Sequence, residues 1–379
     1  MPANLHELDW PLFAALAGVG LLAALLAARA GRVAIPRLVR RKLNDGVARK
    51  ASDYLNLLNE GKKYTPTMGG VFLVPALVAS IAIGAMALTL LGADVTKTWA
   101  IAGMAVFVLV SHAALGMADD LSKLTHQGDG LRARTKLVVQ TILALVCCTL
   151  ATALIGPENA TLHAPGIDIA LGWWLVPFGA LVMVGAGNAY NLTDGLDGLA
   201  GGTGAVAFHA LALSAALLAL AGGVEPDLGW NAAMIAIAAS GALVGFLFWN
   251  RHPARVFMGD TGSLSLGALL GLVAVIGRIE LVLVVAGGVF VAEALSVMVQ
   301  VVCFKLTGGR RILRCSPLHH HYQFGGWHET KVTRRFVAAG MLLAAAAIAL
   351  LPMFRPRPAQ SAPALAEQAP SHAPDVLER

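Results

Sequence analysis

Apolar and polar residues follow one another in long blocks along this chain. Ten apolar segments, most of the length that an α-helix needs to cross ~30 Å of hydrocarbon, are separated by polar stretches. Their approximate spans are 10–29, 69–92, 98–117, 137–155, 170–189, 199–222, 231–249, 262–277, 279–304 and 333–353. The pattern predicts an all-α integral membrane protein of about ten transmembrane helices.

The two ends of the chain differ in character. The stretch 28–30 resembles a signal-peptide cleavage site, but Glu7 and Asp9 precede the first segment and no Lys or Arg does. A secretory leader needs a positive start, so we predict an uncleaved anchor. Residues 1–354 are predicted to form one polytopic membrane domain, and residues 355–379, rich in Pro and Ala, a disordered tail.

Composition agrees with the segment pattern. The chain has 379 residues, of which 57% are hydrophobic and 13% charged, with a mean hydropathy of +0.70. Soluble domains carry nearer ~25% charged residues, so a soluble enzyme is excluded. The four cysteines form no CxxC pair, which argues against a disulfide or metal framework. No Walker-A pattern occurs, and we expect no nucleic-acid partner.

Basic residues indicate the orientation in the membrane. Of the 28 Lys and Arg residues, 23 lie in alternate loops at 29–68, 118–136, 250–261 and 305–335. The opposite loops contain only Lys97 and Arg278. By the positive-inside rule, the basic loops are cytoplasmic and both termini face outward. The positive charge on that face can reflect topology and attraction to anionic lipid, or a field that gathers anionic substrates.

Dense polar clusters occur on the same predicted face. They are Thr65–Gly70, Asp119-Asp120, the stretch 188–198 (NAYNLTDGLDG), the stretch 250–263 (NRHPARVFMGDTGS) and His319–His321. Outward loops carry nothing comparable. A channel or scaffold does not need this asymmetry, so we predict an active-site cleft at the cytoplasmic face.

Five acids stand at or just beyond membrane depth: Asp119, Asp120, Asp194, Asp197 and Asp260. Acids there are costly and tend to be functional. Mg²⁺ takes one or two carboxylates together with substrate phosphate oxygens, and it neutralises charge in phosphoryl transfer. The acids therefore predict a Mg²⁺ site, although any single one could be a helix cap.

Other polar or small residues have two interpretations each. Gly69-Gly70 suits close phosphate approach or tight helix packing. His319–His321 suits phosphate binding, a fortuitous metal site or a chance polar loop. Glu293 shares a helical face with Ser296 and Gln300, which suits a proton relay or, as we favour, an interhelical hydrogen bond. Phe257 can stack on a nucleobase or simply pack.

The motifs TPTMGG, ADD, NLTDGLDG, PARVFMGDTGS and PLHHHY, in this order, resemble one family. Between about Lys62 and Phe336 the chain is similar to the phospho-N-acetylmuramoyl-pentapeptide transferases, a branch of the polyprenyl-phosphate hexose-1-phosphate transferases. The acidic motifs are shared across that superfamily, whereas TPTMGG and the triple histidine point to the muramoyl branch.

The resemblance implies a Mg²⁺-dependent enzyme of the bacterial inner membrane, surrounded by membrane lipid. It implies transfer of the phosphosugar of UDP-N-acetylmuramoyl-pentapeptide to undecaprenyl phosphate, giving lipid I and UMP for peptidoglycan synthesis. It is also compatible with a homodimer. Two alternatives are a related transferase that uses UDP-N-acetylglucosamine and a transporter of lipid-linked sugars.

The resemblance also implies roles for residues. Asp260 corresponds to the metal ligand, and Asp119 and Asp120 to the catalytic pair beside the acceptor phosphate, with Asp119 the candidate base. Lys123 and Lys136 correspond to basic residues near the phosphates. Residues similar to those that hold the uridine end and its phosphates are Lys62, Thr67, Asn191, Asp194, Asp197, Asn250, Phe257, Gln300 and His320, with His319 and His321 beside the last. The chain departs from the family pattern at Tyr64, Gln323 and Thr330.

Overall fold

The computed structural model describes residues 9–41, 43, 60–62, 64–125 and 130–354. The predicted disordered tail at 355–379 and the leader at 1–8 lie outside these residues. In the described part the α-helices are α1 (Trp10–Arg40), α2 (Gly70–Leu90), α3 (Val95–Thr125), α4 (Ala133–Ile155), α5 (Leu175–Thr193), α6 (Leu199–Leu220), α7 (Pro226–Asn250), α8 (Gly259–Gly277), α9 (Glu280–Ala286), α10 (Gly288–Leu306), α11 (Leu318–Phe324) and α12 (Glu329–Ala349).

Ten helices in the described ranges, all but α9 and α11, are long and apolar enough to cross a membrane. The prediction of a multi-pass all-α membrane protein is confirmed. The helices extend beyond the predicted apolar spans, with α1 reaching Arg40 and α3 reaching Thr125. Hydropathy marks only the apolar part of a helix, whereas the helix itself continues into the polar interface. The predicted segment 279–304 is two helices, because α9 ends before Gly287 and α10 begins at Gly288.

The helix α8 lies at the centre of the bundle. In its most apolar window 94% of the residues are buried, against 22% in α10 and 17% in α12. Its sequence is short and rich in Gly, Ala and Ser, which let neighbouring helices approach closely. The outer helices expose large apolar side chains such as Leu181 and Leu342, as lipid-facing helices do.

Gly116 brings α3 into backbone contact with α8. A Cβ atom at this position would lie 2.1 Å from the carbonyl oxygen of Asp260, so only glycine fits. The contact places the last two turns of α3, with Asp119 and Asp120, beside the first turn of α8.

A small β-hairpin lies at the opposite end of the bundle. Strands β1 (Thr161–Ala164) and β2 (Ile167–Ala170) pair antiparallel between the end of α4 and the start of α5. Since α4 begins and α5 ends at the polar end, the hairpin caps the other face.

We predict that Gly116→Ala destabilises the protein by about 1–3 kcal/mol, because the added methyl group overpacks the α3–α8 contact. Gly103→Ala is the matched control on the same helix, since nothing lies within 4 Å of its Cβ position. The measurement is the thermal unfolding temperature of each variant in detergent. Equal unfolding temperatures for the two variants would contradict the proposed contact.

Candidate active site

Three carboxylates meet where α3 ends and α8 begins. One oxygen from each of Asp119, Asp120 and Asp260 lies within 4.8 Å of the others, and all three residues are buried. Residues 140 positions apart in sequence are thereby joined. Three of the five acids expected at the metal site thus come together, without Asp194 and Asp197, and the group is compact enough to hold one metal ion.

Asp120 caps the N-terminus of α8. Its carboxylate accepts hydrogen bonds from the backbone N–H groups of Asp260 and Thr261, both at 3.0 Å, and from the Thr261 hydroxyl at 2.6 Å. An anionic acceptor at a helix N-terminus satisfies otherwise unpaired N–H groups and is favoured by the helix dipole. The helix-cap interpretation therefore describes Asp120, which caps a helix other than its own.

Two lysines bridge the other two carboxylates. Lys123 Nζ lies 2.8 Å from Asp119 Oδ2 and 3.1 Å from Asp260 Oδ1. Lys136 Nζ, in the first turn of α4, lies 3.3 Å from an oxygen of each. Three carboxylates against two ammonium groups leave a formal charge of −1 at this end of the bundle.

The remaining contacts fix Asp119 and Asp260 individually. Asp119 is fully buried, and its Oδ1 accepts the Leu131 N–H at 2.7 Å. Asn191, in the last turn of α5, donates its side-chain amide to Asp260 Oδ1 at 2.9 Å and to Ser263 Oγ at 2.8 Å. The Asp260 side chain keeps 12% of its surface exposed, whereas that of Asp119 keeps none.

This donor set fits a hard cation that is only partly bound by protein. The candidate ligand atoms are carboxylate oxygens. Asp120 already accepts three hydrogen bonds from the first turn of α8, whereas the Asp260 side chain remains partly accessible to solvent. Mg²⁺ characteristically takes one or two carboxylates and completes its shell with water and phosphate oxygens.

A second cluster lies at the same end. Lys62 Nζ contacts Asp197 Oδ1 at 2.7 Å and Glu329 Oε2 at 2.5 Å. His252 Nδ1 contacts Asp197 Oδ2 at 3.0 Å and also Glu329 Oε1. Asp197, His252 and Glu329 have a spacing that could share an ion, but the Lys62 ammonium already supplies a cation there. A cavity of about 300 Å³ opens on this cluster.

Loop contacts link the two clusters. Asn250 accepts the Gly198 N–H at 3.1 Å and donates to the Val256 carbonyl at 2.9 Å. The Gly69 N–H donates to the Phe257 carbonyl at 2.8 Å, and Lys62 Nζ lies 6.0 Å from the Phe257 ring centre. The described residues of 60–62 and 64–69 and the segments at 193–198 and 250–261 therefore meet at one end of the bundle, as predicted.

Thr67 and Asp194 take backbone roles in these segments. Thr67 is buried and its N–H donates to the Leu43 carbonyl at 2.9 Å. Asp194 ends α5, with its N–H directed at the Asn191 carbonyl at 3.2 Å. At Gly70, a Cβ atom would lie 2.4 Å from the Gly262 nitrogen, so helix packing accounts for this glycine.

The three histidines lie on the short helix α11, and the polar-loop interpretation is wrong for them. His319 N–H and Nδ1 contact Glu293 Oε1 at 3.2 and 3.1 Å. His320 Nδ1 contacts Gln323 Oε1 at 2.7 Å, and His321 Nδ1 accepts the Arg314 N–H at 3.1 Å. Among the described residues, the groups able to share an ion do not include these histidines.

Glu293 and Gln300 serve as links from α10 to neighbouring segments. Glu293 is buried and its carboxylate contacts His319 on α11, which is the interhelical hydrogen bond that we favoured. Gln300 Oε1 accepts the N–H groups of Ile312 and Leu313 at 3.1 and 3.0 Å. Gln300 thus fixes the backbone ahead of α11.

Sequence reasoning missed two residues of the second cluster. His252 lies in the polar stretch 250–263, and this position is the feature of the sequence that indicates a place at the site. Glu329 is the first residue of α12 and belongs to no quoted motif. Only the fold brings Glu329 to Lys62, 267 positions away in sequence.

The chain is similar to known proteins over most of its length. A family model described as glycosyl transferase family 4 matches residues 98–278. The phospho-N-acetylmuramoyl-pentapeptide-transferase of Desulforudis audaxviator is 40% identical over 342 residues, covering 88% of this chain and 96% of the relative. The proteins of that name from Bacillus subtilis and Halalkalibacterium halodurans are 37% and 38% identical, covering 82% and 77% of this chain and 90% and 85% of theirs. The chain belongs to the phospho-N-acetylmuramoyl-pentapeptide-transferase family.

Proposed function

We propose that this membrane protein transfers phospho-N-acetylmuramoyl-pentapeptide from its UDP derivative to undecaprenyl phosphate, forming lipid I and UMP. The reaction takes place at the cytoplasmic face of the bacterial inner membrane. The observation that carries the proposal is the joining of Asp119, Asp120 and Asp260 with two lysines at the polar end of a family member. The basic loops at this end agree with a cytoplasmic location.

The chemistry requires two anionic phosphates to meet. An oxygen of the acceptor phosphate attacks the phosphorus next to the sugar, and the bond to UMP breaks with its electrons leaving on UMP. Lys123 and Lys136 are proposed to donate hydrogen bonds to the phosphates, since each bridges Asp119 and Asp260 and stands between them. Their charges offset the repulsion between donor and acceptor.

Asp119 is proposed to receive the acceptor's proton or to orient the attacking oxygen. The residue is fully buried, and both lysines and the Leu131 N–H hold its oxygens in place. This environment favours one fixed position over free access to water. Attack by the acceptor on the donor phosphorus can be direct. In the alternative route an aspartate carboxylate first displaces UMP from that phosphorus, and the acceptor phosphate then displaces the carboxylate.

Mg²⁺ is the proposed cofactor, with Asp260 as its protein ligand. When bound, the ion would neutralise negative charge on the phosphate oxygens. Asn191 orients the Asp260 carboxylate, and Asp120 holds its backbone through α8. Asp120 is thus a positioning residue for the metal ligand, and its three hydrogen bonds compete with any direct contact to an ion.

The activity of the purified protein tests the proposed reaction directly. With both substrates, we expect UMP release that requires Mg²⁺ and stops with a chelator, because the charge on the phosphates is otherwise unscreened. Replacing the donor by UDP-N-acetylglucosamine is expected to give no product. Folded protein that releases no UMP, or that prefers the smaller donor, would refute the proposed reaction.

Asp260→Asn tests the metal ligand. We expect kcat to fall about 10³-fold and the Mg²⁺ concentration for half-maximal activity to rise, because a neutral amide binds a hard cation poorly. Asp168→Asn, on the hairpin at the opposite face, is the control for loss of a carboxylate. Full activity in Asp260→Asn would remove this residue from the chemistry.

Asp120→Asn and Thr261→Val test the cap on α8. Both substitutions disturb the same hydrogen-bonded unit. The fold-decrease in kcat/KM of the double variant should therefore be much smaller than the product of the fold-decreases of the two single variants. Asp119→Asn combined with Thr261→Val is the comparison, and those effects should multiply. The measurement is kcat/KM together with the Mg²⁺ dependence of each variant. Multiplying effects for the Asp120 pair would mean that Asp120 acts independently of α8.

A further inference from the structure

Four segments that are distant in sequence meet at Lys62. We use the name Lys62 cluster for Lys62, Asp197, His252 and Glu329. Lys62 ends a short 3-10 turn, Asp197 precedes α6, His252 follows α7, and Glu329 begins α12. The cluster therefore ties the first cytoplasmic segment to the last long helix.

The contacts with residues that the structure describes leave Lys62 with one N–H to donate. An ammonium group has three N–H donors. Two are directed at Asp197 Oδ1 and Glu329 Oε2, at 2.7 and 2.5 Å. Two carboxylates thus restrain the orientation of the ammonium group, and Lys62 lines a cavity of about 300 Å³.

His252 fixes the same two carboxylates. Its Nδ1 lies between Asp197 Oδ2, at 3.0 Å, and Glu329 Oε1. A ring nitrogen that faces two anions must carry its hydrogen atom, since a lone pair there would be repelled. The Ala254 N–H adds a further donor to Asp197 at 3.0 Å.

Charge alone does not explain this arrangement. The side chains of Asp197, Glu329 and Lys62 keep only 1%, 11% and 15% of their surface exposed. Two carboxylates and one ammonium give a negative balance when His252 is neutral, which is unfavourable for an anionic nucleotide. We therefore attribute the presence of the Glu329 carboxylate in this cluster to the orientation that it imposes on Lys62.

We propose that Glu329 and His252 are positioning residues that fix Lys62 so that its remaining N–H meets a carbonyl oxygen of the donor's uracil ring. The inference rests on the proposed function and deepens its donor site. The centre of the Phe257 ring lies 6.0 Å from Lys62 Nζ, so an aromatic face stands near this ammonium group. Neither Glu329 nor His252 has a contact with the three-acid centre among those the structure describes.

The test uses Glu329→Gln in the full-length protein, with equilibrium binding of uridine and of UMP. We expect the dissociation constants of both ligands to rise about 10-fold, the loss typical of a charge-assisted hydrogen bond. In turnover, the KM for the donor should rise while kcat and the KM for the acceptor stay unchanged. If Glu329 acted only through its charge, UMP would bind more tightly and uridine equally well, which would overturn the proposal. Unchanged binding of both would also overturn it.

Matched variants separate positioning from general damage. His252→Asn keeps an N–H donor near the Nδ1 position and should retain uridine affinity, whereas His252→Phe should lose it. In a Lys62→Gln background, Glu329→Gln should have no further effect on uridine binding, because Glu329 acts through Lys62. Arg334→Gln, an exposed site further along α12, controls for charge loss on that helix.

Binding and turnover can fail separately. Loss of uridine affinity in Glu329→Gln with an unchanged unfolding temperature supports the positioning role even if no transfer is detected. Wild-type protein that binds uridine but releases no UMP would contradict the proposed function alone. A further loss of affinity from Glu329→Gln in the Lys62→Gln background would contradict the positioning role alone.

Discussion

The arrangement of the three-acid centre depends on the contact between the C-terminal turns of α3 and the N-terminus of α8. Gly116 permits the two backbones to touch, and Asp120 then caps the first N–H groups of α8. Without the close contact at Gly116, the Asp120 carboxylate could not reach the N–H groups of α8. Together they place Asp119 and Asp260 side by side, so that one pair of lysines spans both. Helix packing and site electrostatics are thus parts of a single arrangement.

Two groups of carboxylates at this end are built alike but differ in access. In each, lysine ammonium groups bridge acids from separate segments. The group around Asp260 lies at the junction of four membrane helices, α3, α4, α5 and α8, whereas the Lys62 cluster lies at loops and helix ends beside a cavity. We infer that the first serves the phosphates and the second the nucleoside, which separates chemistry from recognition.

Much of the fold followed from the sequence, and its limits have physical causes. Long apolar blocks predicted the ten spanning helices, because hydrocarbon thickness sets their length. The break between α9 and α10 was missed, since two adjacent glycines inside an apolar run do not change hydropathy. The acids were expected to converge because they share one face. Their separate tasks were not predictable, because a sequence shows neither that Asp120 meets α8 nor that Asp119 is enclosed. Glu329 was missed because its only partners are distant in the chain.

The central position of α8 has a consequence for motion. Since almost the whole helix is enclosed by its neighbours, Asp260 cannot shift without rearranging several helices at once. The peripheral helices α10 and α12 are far less enclosed, and they carry Gln300, which holds a loop backbone, and Glu329, which holds Lys62. We expect adjustment to ligands of different size to occur at these peripheral helices, while Asp260 and the central helix α8 keep their positions.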